Sequence, residues 1–156
     1  MSELLNYAKA SPDSYQAMLK FSQAAHQVAL EPALLELVRV RASQINYCAF
    51  CLDMHTIDAR AAGETEQRLY AVAAWEEAPF FTARERAALA WTEAVTKLAD
   101  GPVPEALYRA TREQFSEKEI VDLTLAIIAI NGWNRLAGVF RTEAGYYQAR
   151  ARAKTA

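Results

Sequence analysis

Apolar residues recur along this chain at intervals of three and four and almost nowhere alternate, which predicts helix after helix and no sheet. Ser11–Pro12–Asp13 reads as a helix start, with a hydroxyl cap, proline in the first turn and an acid at the positive end. This first helix is expected to reach about Leu30. Pro32 opens a second, to about Ile45. Its Leu34, Leu35, Leu37, Val38 and Val40 cover more than one face, so it should be well buried. Asn46 is the expected cap of a third helix, Tyr47 to Ala62, closed by Gly63. A fourth runs from about Thr65 to Glu77, before Pro79. Thr82-x-x-Glu85 is a capping box for a fifth, to about Ala99, and Pro104 begins a sixth, to about Phe115. Ser116-x-x-Glu119 caps a long seventh, through about Phe140. The polar, basic stretch after Gly145 has no assignment.

No repeat, linker or low-complexity tract interrupts this series. The expectation is one all-α domain over 1–156, a bundle of about seven helices with its core at about 12–141. Composition changes the picture only by exclusion. A net charge of −2 leaves no basic face for nucleic acid. The longest strongly apolar run, Leu123–Ile130, is too short to cross a bilayer, and Met1–Ala10 lacks the basic-then-apolar order of a secretory signal. A cytoplasmic protein without membrane attachment is the expectation.

The chemistry concentrates in two cysteines, Cys48 and Cys51, the only ones in the chain. Paired so closely in a reducing compartment, they point to redox chemistry or metal binding rather than to a structural staple. No strand precedes them, which excludes the thioredoxin setting of most Cys-x-x-Cys pairs. With Asn46 as cap, Cys48 falls in the first turn of a helix, where unpaired N–H groups and the helix dipole favour thiolate. Cys48, Cys51 and His55 then share an arc of roughly 60° on one face, with His55 one turn beyond Cys51. A disulfide needs Cβ atoms about 3.8 Å apart, against about 5–6 Å for helical i,i+3 pairs, so bridging relies on a deformable first turn. Glu36 lies ten residues before Asn46 and His55 nine after it. If the second and third helices form an antiparallel hairpin, the two are level. A carboxylate among Leu34, Leu35, Leu37 and Val38 needs a partner, and His55 supplies one.

Glu36, Cys48, Cys51 and His55 at this spacing resemble the alkylhydroperoxidase AhpD-like core of the carboxymuconolactone decarboxylase superfamily. The resemblance is densest from Leu34 to about Trp75. It extends through Ala87–Val95 and Asn131-Gly-Trp-Asn-Arg135. It implies an all-helical homo-oligomer, a trimer or hexamer, that needs no cofactor. It further implies a peroxide substrate reduced through a Cys48/Cys51 dithiol–disulfide cycle, Glu36 and His55 as proton relay, and an external dithiol protein or small dithiol as reductant. One position departs: where well-known members carry a second histidine before the second cysteine, this chain has Phe50. Members that decarboxylate lack the cysteine pair. Helix-end position favours Cys48 as the attacking thiol and adjacency to His55 favours Cys51; a relay's need for a close base tips the reading to Cys51.

Three other readings stand beside this one. The cysteines are inert core residues; they are a redox sensor or structural switch without turnover; or they bind zinc together with His55 and Glu36, although three ligands on one helical stretch are awkward to arrange tetrahedrally. Glu36 has a surface alternative in pairing with Arg39 or Arg41. His26 reads as an ordinary helix residue, Trp75, Trp91 and Trp133 as core or subunit contacts, and Asn131, Asn134 and Arg135 as contacts to the site, to a neighbour or to a helix end.

Overall fold

A computed structural model describes residues 2–149, and within them every regular element is helical. In order these are α1 (Tyr7–Ala10), α2 (Pro12–His26), α3 (Pro32–Ile45), α4 (Ala49–Ala61), α5 (Glu66–Ala71), α6 (Ala83–Thr96), α7 (Glu105–Arg112) and α8 (Glu117–Phe140), with 3-10 turns at Val72–Ala74 and Leu98–Asp100. The all-helical expectation holds, and so do both capping boxes: Thr82 with Glu85, and Ser116 with Glu119, bond reciprocally at their helix starts. α3 is the axis of the fold. As its wide apolar surface predicts, it packs on α4, α6 and α8 and buries Leu37, Val38 and Val40 completely.

Several boundaries differ from the sequence pattern. The first helix stops at His26, not Leu30: the Gln27 N–H closes it on the Ala24 and Gln23 carbonyls, and Glu31 before Pro32 is extended (φ −59°, ψ 126°). The expected helix from Thr65 to Glu77 is one short helix and a 3-10 turn. The helices expected to end at Ala99 and Phe115 end at Thr96 and Arg112. α1 was not expected; four residues are too few to show a period, although Asn6 caps it by accepting from the Lys9 N–H.

The largest correction concerns the α3–α4 turn. Asn46 ends α3 rather than capping α4, and Tyr47 sits in the left-handed region at φ 53°. The Tyr47 and Cys48 N–H groups bond back to the Gln44 and Ser43 carbonyls, closing a left-handed C-terminal cap on α3. That position usually belongs to Gly or Asn, and a tyrosine there costs roughly 1–2 kcal/mol. Its side chain is 94% exposed, so no side-chain burial offsets the strain. One residue later Cys48 is already the N-cap of α4.

α8 is long and apolar enough to cross a membrane by length and composition, reaching beyond the Leu123–Ile130 core that sets its hydropathy in the sequence. In the fold, 44% of its most apolar window is buried, against α2, α3, α4, α6 and α7. Its Gly132 admits α2 closely: a Cβ there would lie 2.6 Å from the Met18 Cε. That approach brings α2 over the site.

Candidate functional site

Cys48 lies outside the helix proper, at φ −86° and ψ 95°, and its Sγ accepts the Cys51 N–H at 3.3 Å. The sulfur thus occupies the place a serine or aspartate oxygen takes at a helix start, facing an unpaired N–H and the positive end of the helix dipole. Being free of the helical i,i+3 spacing, Cys48 can reach its partner more easily than a first-turn residue. Both thiols are free and buried, at 3% and 1% exposure. The hydrogen bond from the Cys51 thiol outweighs burial and, with the Cys51 N–H and the Asn134 amide, brings Cys48 down to about 7. Cys51 goes the other way: its bond to Cys48, burial and the neighbouring charge hold it protonated far above the ordinary thiol range. One proton held between two sulfurs describes the pair.

His55 stands on the same helix and is 6% exposed. Its Nδ1 lies 2.9 Å from Glu36 Oε2 on α3. The hairpin expected from the sequence therefore exists, with Glu36 and His55 level across it. Burial raises the Glu36 pKa, but the His55 bond and charge and the Arg39 guanidinium outweigh it and hold the carboxyl below its usual value. An ionised carboxylate only accepts, so His55 Nδ1 donates in this bond and Nε2 is the ring nitrogen left for proton exchange.

Glu36 also binds Arg39, so one of its surface alternatives proves to be part of the site. Arg39 is buried at 7% and gives one N–H to Glu36 Oε1 at 2.5 Å and another to His26 Nδ1 at 2.8 Å. Arg41 goes elsewhere, to Glu93. Arginine only donates, so the His26 Nδ1 is an acceptor and its ring is neutral; burial and the charge of Arg39 lower its pKa. A chain of four side chains results: His26, Arg39, Glu36, His55. Sequence reasoning missed His26, because nothing in a helical pattern links residues on α2 and α3. Arg39 had left a trace, as a charge three residues from Glu36 inside an apolar run.

These groups line a cavity of about 420 Å³, and Cys51 lines it too, whereas Cys48 does not. The other walls are largely apolar and aromatic. Tyr15 meets Trp133 edge-on at 5.9 Å between ring centres, and Tyr7 lies 6.1 Å from Tyr15. Trp133 is therefore a cavity wall, whereas Trp75 and Trp91 are core residues, as expected, their indole N–H groups given to Glu93 and Thr124. Phe50, at the departing position, also lines the cavity. The C-terminal segment is tied to α4 beside it: Gly145 N–H donates to Asp53 and the Tyr147 hydroxyl to Asp58, each at 2.9 Å. Among the described residues no three of His, Cys, Asp and Glu are grouped to hold a metal ion, and His55 Nδ1 faces Glu36.

Comparison with known proteins agrees with this geometry. Residues 12–94 match the model of the carboxymuconolactone decarboxylase family. The uncharacterised protein YdfG of Bacillus subtilis is 42% identical over 137 residues, 88% of this chain and 93% of that one. A crystal structure from Agrobacterium tumefaciens is 41% identical and superposes with a TM-score of 0.91 over 94% of this chain and 100% of that one. It is a protein of unknown function for which a role as the antioxidant defence protein AhpD has been suggested. A peroxidase-related protein from Ralstonia eutropha, an alkylhydroperoxidase AhpD core, shares the fold at 23% identity, with a TM-score of 0.79 over 89% of this chain and 74% of that one.

Proposed function

Since the chain belongs to the carboxymuconolactone decarboxylase family and has the AhpD-like fold, we propose that it is a thiol-dependent peroxidase working through a Cys48/Cys51 dithiol–disulfide cycle. One observation carries this reading: a protonated cysteine and a histidine held by a carboxylate line the same cavity, while a second, more acidic cysteine waits behind at the helix cap.

The roles follow from the two environments. Cys51 meets the substrate, because it lines the cavity, and it needs a base, because its thiol is held protonated. As its sulfur attacks one peroxide oxygen and the O–O bond breaks, His55 Nε2 takes the thiol proton and delivers it to the departing alkoxide. The products are an alcohol and a sulfenic acid on Cys51. Glu36 holds the ring and balances the transient imidazolium. Cys48, as its thiolate, attacks the sulfenic sulfur, forming the disulfide and expelling hydroxide, which a solvent proton converts to water. An external dithiol restores both thiols by exchange and leaves as its own disulfide. Without a histidine at Phe50, His55 is the one imidazole on α4.

The test is peroxide consumption with hydrogen peroxide and cumene hydroperoxide, using dithiothreitol or dihydrolipoamide as reductant. Wild type is expected to turn over, and Cys48→Ser and Cys51→Ser are not. Consumption no faster than the dithiol alone, in every combination, overturns the proposal.

A further inference from the structure

Behind the two thiols lies a chain of side-chain amides whose hydrogen-bond polarity is fixed from its far end. Asn131 Nδ2 donates to the Ile127 carbonyl at 2.9 Å and to Thr96 at 3.0 Å. A backbone carbonyl only accepts, so the Asn131 amide cannot turn over. Its Oδ1 therefore faces the other way, where Arg135, which only donates, binds it at 2.9 Å. Asn46 Nδ2 also donates to that Oδ1, and to Asn134 Oδ1, both at 2.9 Å. With its oxygen taken by Asn46, Asn134 must turn its NH₂ toward the remaining side, where Ser43 Oγ receives one hydrogen at 3.1 Å.

The thiol pair is a neighbour of this amide. Asn134 is 2% exposed and lies on α8 between Ile130 and Ala137, which pack against Cys48 and Cys51 in one cluster. We propose that Asn134 is a positioning residue of the dithiol, its N–H edge aimed at the sulfurs by the Asn46–Asn131–Arg135 chain so that the pair can hold a negative charge. The inference refines the redox reading of the same cysteines. The amide lowers the pKa of both thiols, as a donor must. The Ser43 group that closes the left-handed turn at Tyr47 is its backbone carbonyl, which accepts the Cys48 N–H and which an alanine would keep.

The experiment measures thiol ionisation, which needs no peroxide and so fails or succeeds independently of the peroxidase proposal. A neutral donor to a thiolate is worth about one to two pKa units. Asn134→Asp and Asn134→Leu should therefore raise the first thiol transition, read by thiolate absorbance and pH-dependent alkylation, by about that much. Ser43→Ala, which removes a neighbour but leaves the amide polarity, should leave it in place. An unmoved transition in folded Asn134 variants, or an equal shift in Ser43→Ala, overturns the proposal. Should the Asn134 variants not fold, the wild-type chain decides: the Asn134 side-chain amide resonance must titrate with the thiol, and a resonance flat through that transition overturns the proposal equally.

Discussion

Glu36→Gln separates two things that one carboxylate does here. Glu36 accepts from Arg39 through one oxygen and from His55 through the other, and its side chain is 16% exposed. A glutamine keeps one acceptor oxygen and turns an NH₂ toward whichever donor loses its partner. If it serves His55, the Arg39 cation is left buried with only the neutral His26 facing it; if it serves Arg39, the His55 ring loses its orientation. Breaking a buried ion pair by removing one partner costs about 3–5 kcal/mol, and the partial exposure of Glu36 places this case near 3. For a chain of this size that lowers Tm by about 6–12 °C. Losing the relay should slow peroxide reduction by about 10²–10⁴, and His55→Gln should do the same. Because both act on one proton path, the double variant should be little slower than the slower single one. The Cys48 transition near pH 7, which owes its position to Cys51 and Asn134, should stay where it is. Thermal melting, stopped-flow peroxide consumption and pH-dependent alkylation with mass spectrometry read the three quantities separately. If Glu36→Gln melts lower but turns over like wild type, Glu36 is a structural acid and the relay is refuted.

Three further outcomes are expected. Peroxide treatment without reductant should leave a dimedone-reactive sulfenic acid on Cys51 in Cys48→Ser and none on Cys48 in Cys51→Ser; the reverse pattern would exchange the two roles. His26 is held neutral by burial and by Arg39, its folded pKa lying below the unfolded value of about 6.5, so the stability it lends is present above that pH and lost as pH falls through the folded value. Tm should therefore fall more between pH 7 and 5 in wild type than in His26→Gln, and parallel curves would contradict this. Gly132→Ala should leave stability within about 1 kcal/mol of wild type, since the added methyl meets only the flexible end of the Met18 side chain and the helix gains from losing a glycine; a denaturation midpoint far below wild type would show that Met18 cannot yield.

Much of this was legible in the residues, because local rules govern it. The capping boxes at Thr82 and Ser116 name their own helix starts, and the dense apolar face of α3 announces a central helix. The Glu36–His55 pairing was legible because an antiparallel hairpin converts sequence distance into register. The turn itself was misread for a physical reason. The left-handed position carries an exposed tyrosine where glycine would have marked it, and a cysteine serves as N-cap, so both usual signals are missing. His26 and the cavity walls come from α1, α2 and α8, and packing between distant elements leaves no local trace. Asn134 was visible only as a polar residue in an apolar helix; the polarity of its amide is decided by a carbonyl at Ile127 and a guanidinium at Arg135.

The unequal acidity of the two thiols also fixes how their redox potential follows pH. While both sulfurs are protonated, oxidation releases two protons with two electrons, and the potential falls by about 59 mV per pH unit. Above about 7, where Cys48 has already lost its proton, only the Cys51 proton leaves, and the slope drops to about 30 mV. Cys51 is held protonated far beyond the neutral range, so no second break follows. Above neutral pH the potential of the pair should therefore depend on pH about half as steeply as that of an ordinary dithiol, so that small swings in acidity shift its exchange equilibrium with such a reductant. The capped sulfur at the start of α4 thereby sets the pH at which the pair changes from a two-proton to a one-proton couple.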